Sequence, residues 1–228
     1  MEEYKVVQVN KQKKKLGNTY DVRDVWIGKV GNKRIIKYKV RITSYTGYTI
    51  LTIPDKNENG KELTYLNDYD LRGRFNEIRI PQSLKYMNLG KIKGVERILI
   101  DRGNENIYTK DDMILCKPKK HYKILLLVMN KMRNGIVIPN DVKKINFKCF
   151  HLIHYLQYLY IPKSLNEIGR KAFKGVISIK FVFLQKGIDA SMIAELEEIR
   201  NSVKIEKLIY VEGSKEVDLF LREYEGSI

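Results

Sequence analysis

Ile136-Val-Ile-Pro-Asn-Asp-Val-Lys-Lys-Ile-Asn-Phe-Lys-Cys-Phe150 and Leu159-Tyr-Ile-Pro-Lys-Ser-Leu-Asn-Glu-Ile-Gly-Arg-Lys-Ala-Phe173 are two copies of one unit, set 23 residues apart. That shift lays Ile138 on Ile161, Pro139 on Pro162, Val142 on Leu165, Ile145 on Ile168, Cys149 on Ala172 and Phe150 on Phe173. Apolar residues meet apolar residues throughout. A repeat of this length is one supersecondary unit that cannot bury its own apolar side and must stack on its neighbours. The chain therefore reads as a solenoid, an architecture that offers long surfaces to partners.

Within each unit, Ile136 and Ile138, or Leu159 and Ile161, alternate with outward residues as in a short strand. The following proline ends that strand because it has no N–H to donate. Val142, Ile145 and Phe150 fall at turn-like spacings that return the chain over the core, and the small Cys149 and Ala172 sit where coils approach closely.

The pattern at Ile161 to Gly175, I-P-x-x-L-x-x-I-G-x-x-A-F-x-G, resembles the BspA-like (treponemal-type) leucine-rich repeat family of bacteria and some protists. Ile42-Thr-Ser-Tyr-Thr-Gly47 with Leu51-Thr-Ile-Pro54 is similar to the way such arrays begin. Asn104, Tyr108 and Asp112-Met-Ile-Leu115 are similar to their hairpin-bearing repeat, and Ile209-Tyr-Val-Glu-Gly-Ser214 to their closing one. Asn146 departs from the pattern, which has glycine there, and the repeat at Ile80 is short. The resemblance covers roughly residues 42–228. It implies a non-catalytic protein-interaction scaffold of the adhesion or host-protein-binding kind.

The expected fold is an α+β solenoid. A leucine-rich repeat array with a short-stranded parallel sheet fills residues 50–188, with a β-rich cap at 1–49, a β-hairpin insertion at 101–134 and an acidic helical cap at 189–228. In the cap, Asp24-Val-Trp-Ile-Gly28 and Ile35 to Ile42 are β-rich. In the insertion, Met113 to Cys116 and Tyr122 to Met129 are apolar runs on either side of a basic tip. Asp189 to Asn201 places Met192, Ile193, Leu196 and Ile199 at helical spacing behind an Asp189 or Ser191 N-cap. Lys207 to Val211 reads as a last strand and Val217 to Tyr224 as a last helix.

A formal charge of +16 on 228 residues is the dominant global feature. Residues 189–228 hold 5 basic and 10 acidic side chains, leaving 38 and 17 in the rest of the chain. A body this basic favours nucleic acid, an anionic membrane or an acidic protein. Against that, only 12 of the 43 cations are Arg, and Lys, Asn, Ile and Tyr are abundant together, as a low-GC genome would produce. No apolar run approaches the ~20 residues of a membrane helix. Met1-Glu-Glu-Tyr-Lys5 lacks an apolar secretory segment, so the expected location is the cytoplasm, with the cell surface as the alternative if the chain is part of a longer one. Two cysteines build no disulfide framework.

Catalytic signatures are lacking: the chain has neither a Gly-rich phosphate loop nor a nucleophile elbow nor a zincin motif. No cofactor is expected. Cys149, His151 and His154, with Cys116 and His121, supply zinc-ligand types, but Cys149 aligns with the core Ala172 and the paired spacings of metal sites are missing, so no metal is expected. Strand alternation instead turns Arg79, Arg97, Leu99, Tyr158, Tyr160, Phe181 and Phe183 outward. Arg and aromatic residues on an open sheet face are the stuff of protein-binding hot spots. The competing reading folds the helix at 189–201 over Phe181 and Phe183. Candidate phosphate contacts are Lys11, Lys13, Lys14, Lys15, Lys117, Lys119 and Lys120, whose ordinary alternative is a solvated loop or a charged strand edge. The expected function is thus a repeat scaffold holding a protein partner on its outer sheet face, in an intracellular version carried by a mobile element and acting on a nucleoprotein complex. The alternatives are a basic nucleic-acid-binding protein and a surface adhesin.

Overall fold

The computed structural model describes residues 20–28, 37–45, 48–56, 60–66, 73–90, 92–119, 121–129 and 135–225. Two compact units divide the chain, residues 1–109 and 110–228.

The first unit carries β1 (Tyr20–Gly28), β2 (Lys37–Tyr45), β3 (Tyr48–Thr52), β4 (Tyr65–Leu66), β5 (Gly73–Arg74), β6 (Glu77–Ile80), β7 (Tyr86–Met87), β8 (Ile92–Lys93), β9 (Arg97–Ile100) and the start of β10 (Ile107–Lys110). β1, β2 and β3 pair antiparallel, and β3, β6 and β9 pair parallel. The N-terminal strands thus join the array edge to edge, as further strands of its sheet. Leu51, Ile78 and Ile80 point into the core and are buried, as alternation requires. Leu63, Leu66, Leu84 and Met87 fill the opposite side. Asn104 ties this unit's coils together: its side-chain amide donates to the Pro81 and Leu84 carbonyls (2.7 and 2.9 Å), and its oxygen accepts the Ile107 N–H (2.7 Å).

The second unit carries β11 (Met113–Lys119), β12 (Tyr122–Val128), β13 (Gly135–Val137), β14 (Val142–Ile145), β15 (Tyr155–Ile161), β16 (Glu167–Ile168), β17 (Ser178–Gln185), α1 (Ala190–Arg200), β18 (Lys204–Val211) and α2 (Ser214–Glu225). β13, β15, β17 and β18 form one parallel sheet. The expected turn at Val142 to Ile145 is a strand instead, and a second column of parallel pairing, β12–β14–β16, closes the far side of the coil. Val142 and Ile145 are buried while Lys143 and Lys144 between them are half-buried, so the burial has no two-residue period. The hairpin β11–β12 forms as expected, and its second strand opens that second column, which is why Ile124 to Met129 is buried without interruption.

Successive coils repeat their hydrogen bonds as well as their residues. Cys149 N–H donates to Asn146 O (3.2 Å) as Ala172 N–H does to Gly169 O (2.9 Å), and Ile153 N–H to Phe150 O (2.9 Å) as Val176 N–H does to Phe173 O (3.0 Å). Phe150 and Phe173 stack face to face at 4.6 Å. A β-carbon on Gly169 would stand 2.6 Å from the Asn146 carbonyl carbon, so this coil-to-coil approach needs glycine. The stacked coils of the second unit form a leucine-rich repeat solenoid.

Candidate interaction surface

On the outer face of the first unit's sheet, Glu77 lies opposite Arg97 across the β6–β9 ladder, and Arg79 follows it on the same face of the same strand. Glu77 is only 4% exposed. A carboxylate this buried needs partners. Arg79 supplies one, its Nε 2.7 Å from Glu77 Oε1, and Arg97 Nη1 stands 4.0 Å from Oε2. Both arginine side chains are more than half exposed. Glu77 therefore hydrogen-bonds one exposed guanidinium and stands within ion-pair distance of a second, with the half-buried Leu99 beside Arg79 in register. Asn76 extends this lattice, accepting the Thr49 N–H (2.9 Å) and donating to Glu96 (2.7 Å).

The second unit treats the same face differently. Tyr160, Phe181 and Phe183 do point outward, but they are buried, at most 2% exposed. Their cover is α2, which seats Val217, Phe220, Leu221 and Tyr224 on them. Phe220 meets Phe181 and Phe183 edge-on, each at 5.3 Å, and Tyr224 meets Phe181 at 5.0 Å. Lys180 Nζ sits 4.6 Å from the Tyr224 ring centre. This corrects two expectations. Tyr160, Phe181 and Phe183 belong to a core cluster, and the helix over them is α2, whereas α1 packs toward β16. Tyr158 alone of the four is half-buried. The sequence held the signal: Phe181-Val-Phe-Leu184 is continuously apolar, as a strand covered on both faces must be, and Val217, Phe220, Leu221 and Tyr224 fall at helical spacing.

Arg79 and Arg97 lie in the first unit and the aromatic residues in the second, on separate sheets. Of the candidate phosphate contacts, Lys117 and Lys119 are exposed on β11, while Lys11, Lys13, Lys14, Lys15 and Lys120 lie outside the described residues. Cys116 and Cys149 are fully buried free thiols. Burial pushes the Cys116 thiol up to about 12 and Cys149 well above its ordinary value, so neither is a nucleophile near neutral pH. His151 and His154 each commit Nδ1 to a main-chain carbonyl, Lys148 O (2.8 Å) and Gly175 O (3.0 Å). Among the described residues no three His, Cys, Asp or Glu side chains group as a metal site, and no helix is long and apolar enough to cross a membrane.

The family model for the BspA type leucine rich repeat region (6 copies) matches residues 129–208. That span is a BspA-type leucine-rich repeat region. Its matched residues take in β13 to α1 and part of β18, which places the paired units at its centre. A leucine rich cell surface protein from Faecalibacterium prausnitzii A2-165, known from a crystal structure at 1.80 Å, aligns at 12% identity with a TM-score of 0.40. The alignment covers 69% of this chain and 62% of that protein's length. No curated protein matches the sequence. The BspA-type region is a repeat scaffold of the kind that binds other proteins.

Proposed function

We propose that the chain is a non-catalytic scaffold that holds an acidic protein partner on the outer sheet face of its first unit, through Arg79, Arg97 and Leu99. The observation that carries this reading is the buried Glu77 beneath two exposed guanidiniums. A buried carboxylate is costly to keep in a fold. Here it holds Arg79 by a hydrogen bond and draws Arg97 within ion-pair distance on open sheet, so less conformational entropy is lost when they meet a carboxylate. Leu99 adds an apolar contact beside them.

Affinity capture from nuclease-treated lysate, at low and at ~0.3 M salt, tests this with Arg97→Ala/Leu99→Ala, which leaves the Arg79–Glu77 pair in place. A protein retained by the parent chain and lost by a folded variant supports the reading. Retention of the same proteins by both would refute it. The salt arm measures how much of the binding rests on the screened charges.

A further inference from the structure

Residues 142–188 carry nine Lys and Arg side chains but one acidic residue, Glu167, and that one is bound to Lys144. Codon bias toward lysine leaves this unexplained, because the anomaly is the loss of acids: the whole chain has 27 in 228 residues, so about five or six would fall in a stretch of this length. The fold gathers much of this charge at the turns that lead into β15 and β17. Lys148 and Lys171 occupy equivalent places there, as do His151 and Lys174. The turns stack directly, with Phe150 N–H on Ala172 O (3.0 Å) and Ile177 N–H on His154 O (2.7 Å). Arg170, Lys171 and Lys174 are exposed, and among the described residues none of them has a carboxylate within ion-pair distance.

Two further features mark this ridge. Lys148 and Lys171 both adopt the left-handed backbone conformation, at φ 51° and 59°. Glycine or asparagine would fit there at lower cost, yet both coils carry lysine. Apolar side chains also stand in solvent at the ridge: Tyr155 is 67% exposed, and Ile177 is 54% exposed in the next coil. Cations in a row with an open aromatic ring are how single-stranded nucleic acid is held, the cations on phosphates and the ring under a base.

We propose that this turn ridge binds single-stranded nucleic acid without base specificity, through Arg170, Lys171 and Lys174 on the phosphates and Tyr155 as a stacking platform. The site is independent of the one around Arg79 and Arg97, and either can fail without the other.

Fluorescence anisotropy with a labelled 20-nucleotide oligo(dT) tests it on the full chain. Arg170→Glu/Lys171→Glu/Lys174→Glu is compared with an equal charge change elsewhere, Lys85→Glu/Lys93→Glu/Lys110→Glu, each variant shown folded by circular dichroism. The expected result is a loss of at least tenfold in the ridge variant and a much smaller loss in the control. The slope of log K against log salt should fall by about 2 in the ridge variant, at about 0.7 per phosphate contact on a single strand. Tyr155→Ala should weaken binding at least fivefold with the slope unchanged. Equal losses in the two triple variants would overturn the proposal in favour of net charge alone. So would a duplex, polyglutamate or anionic vesicles bound as tightly as oligo(dT), each of which needs no stacking ring.

Discussion

The Tyr158 ring lies so closely over Gly135 that a β-carbon on that glycine would stand 2.2 Å from the ring's Cε1. The two residues are register partners on β15 and β13, and the same ring meets Phe183 edge-on at 6.4 Å. Glycine is required here for space. Gly135→Ala should therefore displace the ring and cost about 1–3 kcal/mol. In the Tyr158→Ala background the same change should cost less than half as much, a coupling that urea midpoints at constant m will measure.

The seat of α2 makes a second prediction. Phe220 is half-buried against Phe181 and Phe183, so Phe220→Ala should cost about 2–3 kcal/mol, somewhat below the value for a fully buried ring. A chain ending at Gly213 should expose Tyr160, Phe181 and Phe183 and gain binding of a hydrophobic dye. A truncated chain with unchanged dye binding and melting temperature would show that the helix is not docked there.

Burial of the two thiols sets an alkaline limit on stability. Cys116 ionises in the fold only near 12, and Cys149 is shifted the same way, whereas an unfolded thiol ionises near its ordinary 9.0. Above that value the unfolded chain has lost protons that the native chain retains, so stability falls as pH rises. The slope is about 1.4 kcal/mol per pH unit for each thiol. Cys116→Ala/Cys149→Ala should lower stability at pH 7 but flatten the decline between pH 9 and 11. In the native parent chain, iodoacetamide at pH 8 should label neither cysteine until denaturant is added.

Lys171 should trade stability for binding. Lys171→Asn keeps the left-handed turn with a residue suited to it and should raise stability by about 0.5–1 kcal/mol. It should also weaken oligonucleotide binding in the anisotropy assay, and a gain in both would argue that the lysine serves only the turn.

Local pattern carried much of the fold. Ile136, Ile138, Leu159 and Ile161 alternate in sequence and are buried in the structure, and the 23-residue match reappears in paired hydrogen bonds. The second column of strands was not legible, because Val142 and Ile145 are both buried across two half-buried lysines and so mimic a turn. The aromatic face was legible as far as side-chain direction. What covers it was not, since helical spacing reveals an apolar stripe without naming the surface that receives it. Two amphipathic candidates followed β17, and tertiary packing chose the one farther along the chain. The turn ridge was missed for another reason: its signal is a scarcity of acids over 142–188, where Glu167 stands alone, which a search for runs of lysine does not detect.

The docking of α2 also limits how this chain can change length. Arrays of near-identical units gain and lose copies by slippage, and most coils of a solenoid tolerate it because each touches only its neighbours. Here the helix rests on rings from two consecutive strands, Tyr160 of β15 and Phe181 and Phe183 of β17. A coil inserted between those strands would part the rings, and a coil lost would remove some of them. Copy number can therefore drift only where no aromatic seat has to move with it, which makes α2 a ruler for the end of the array.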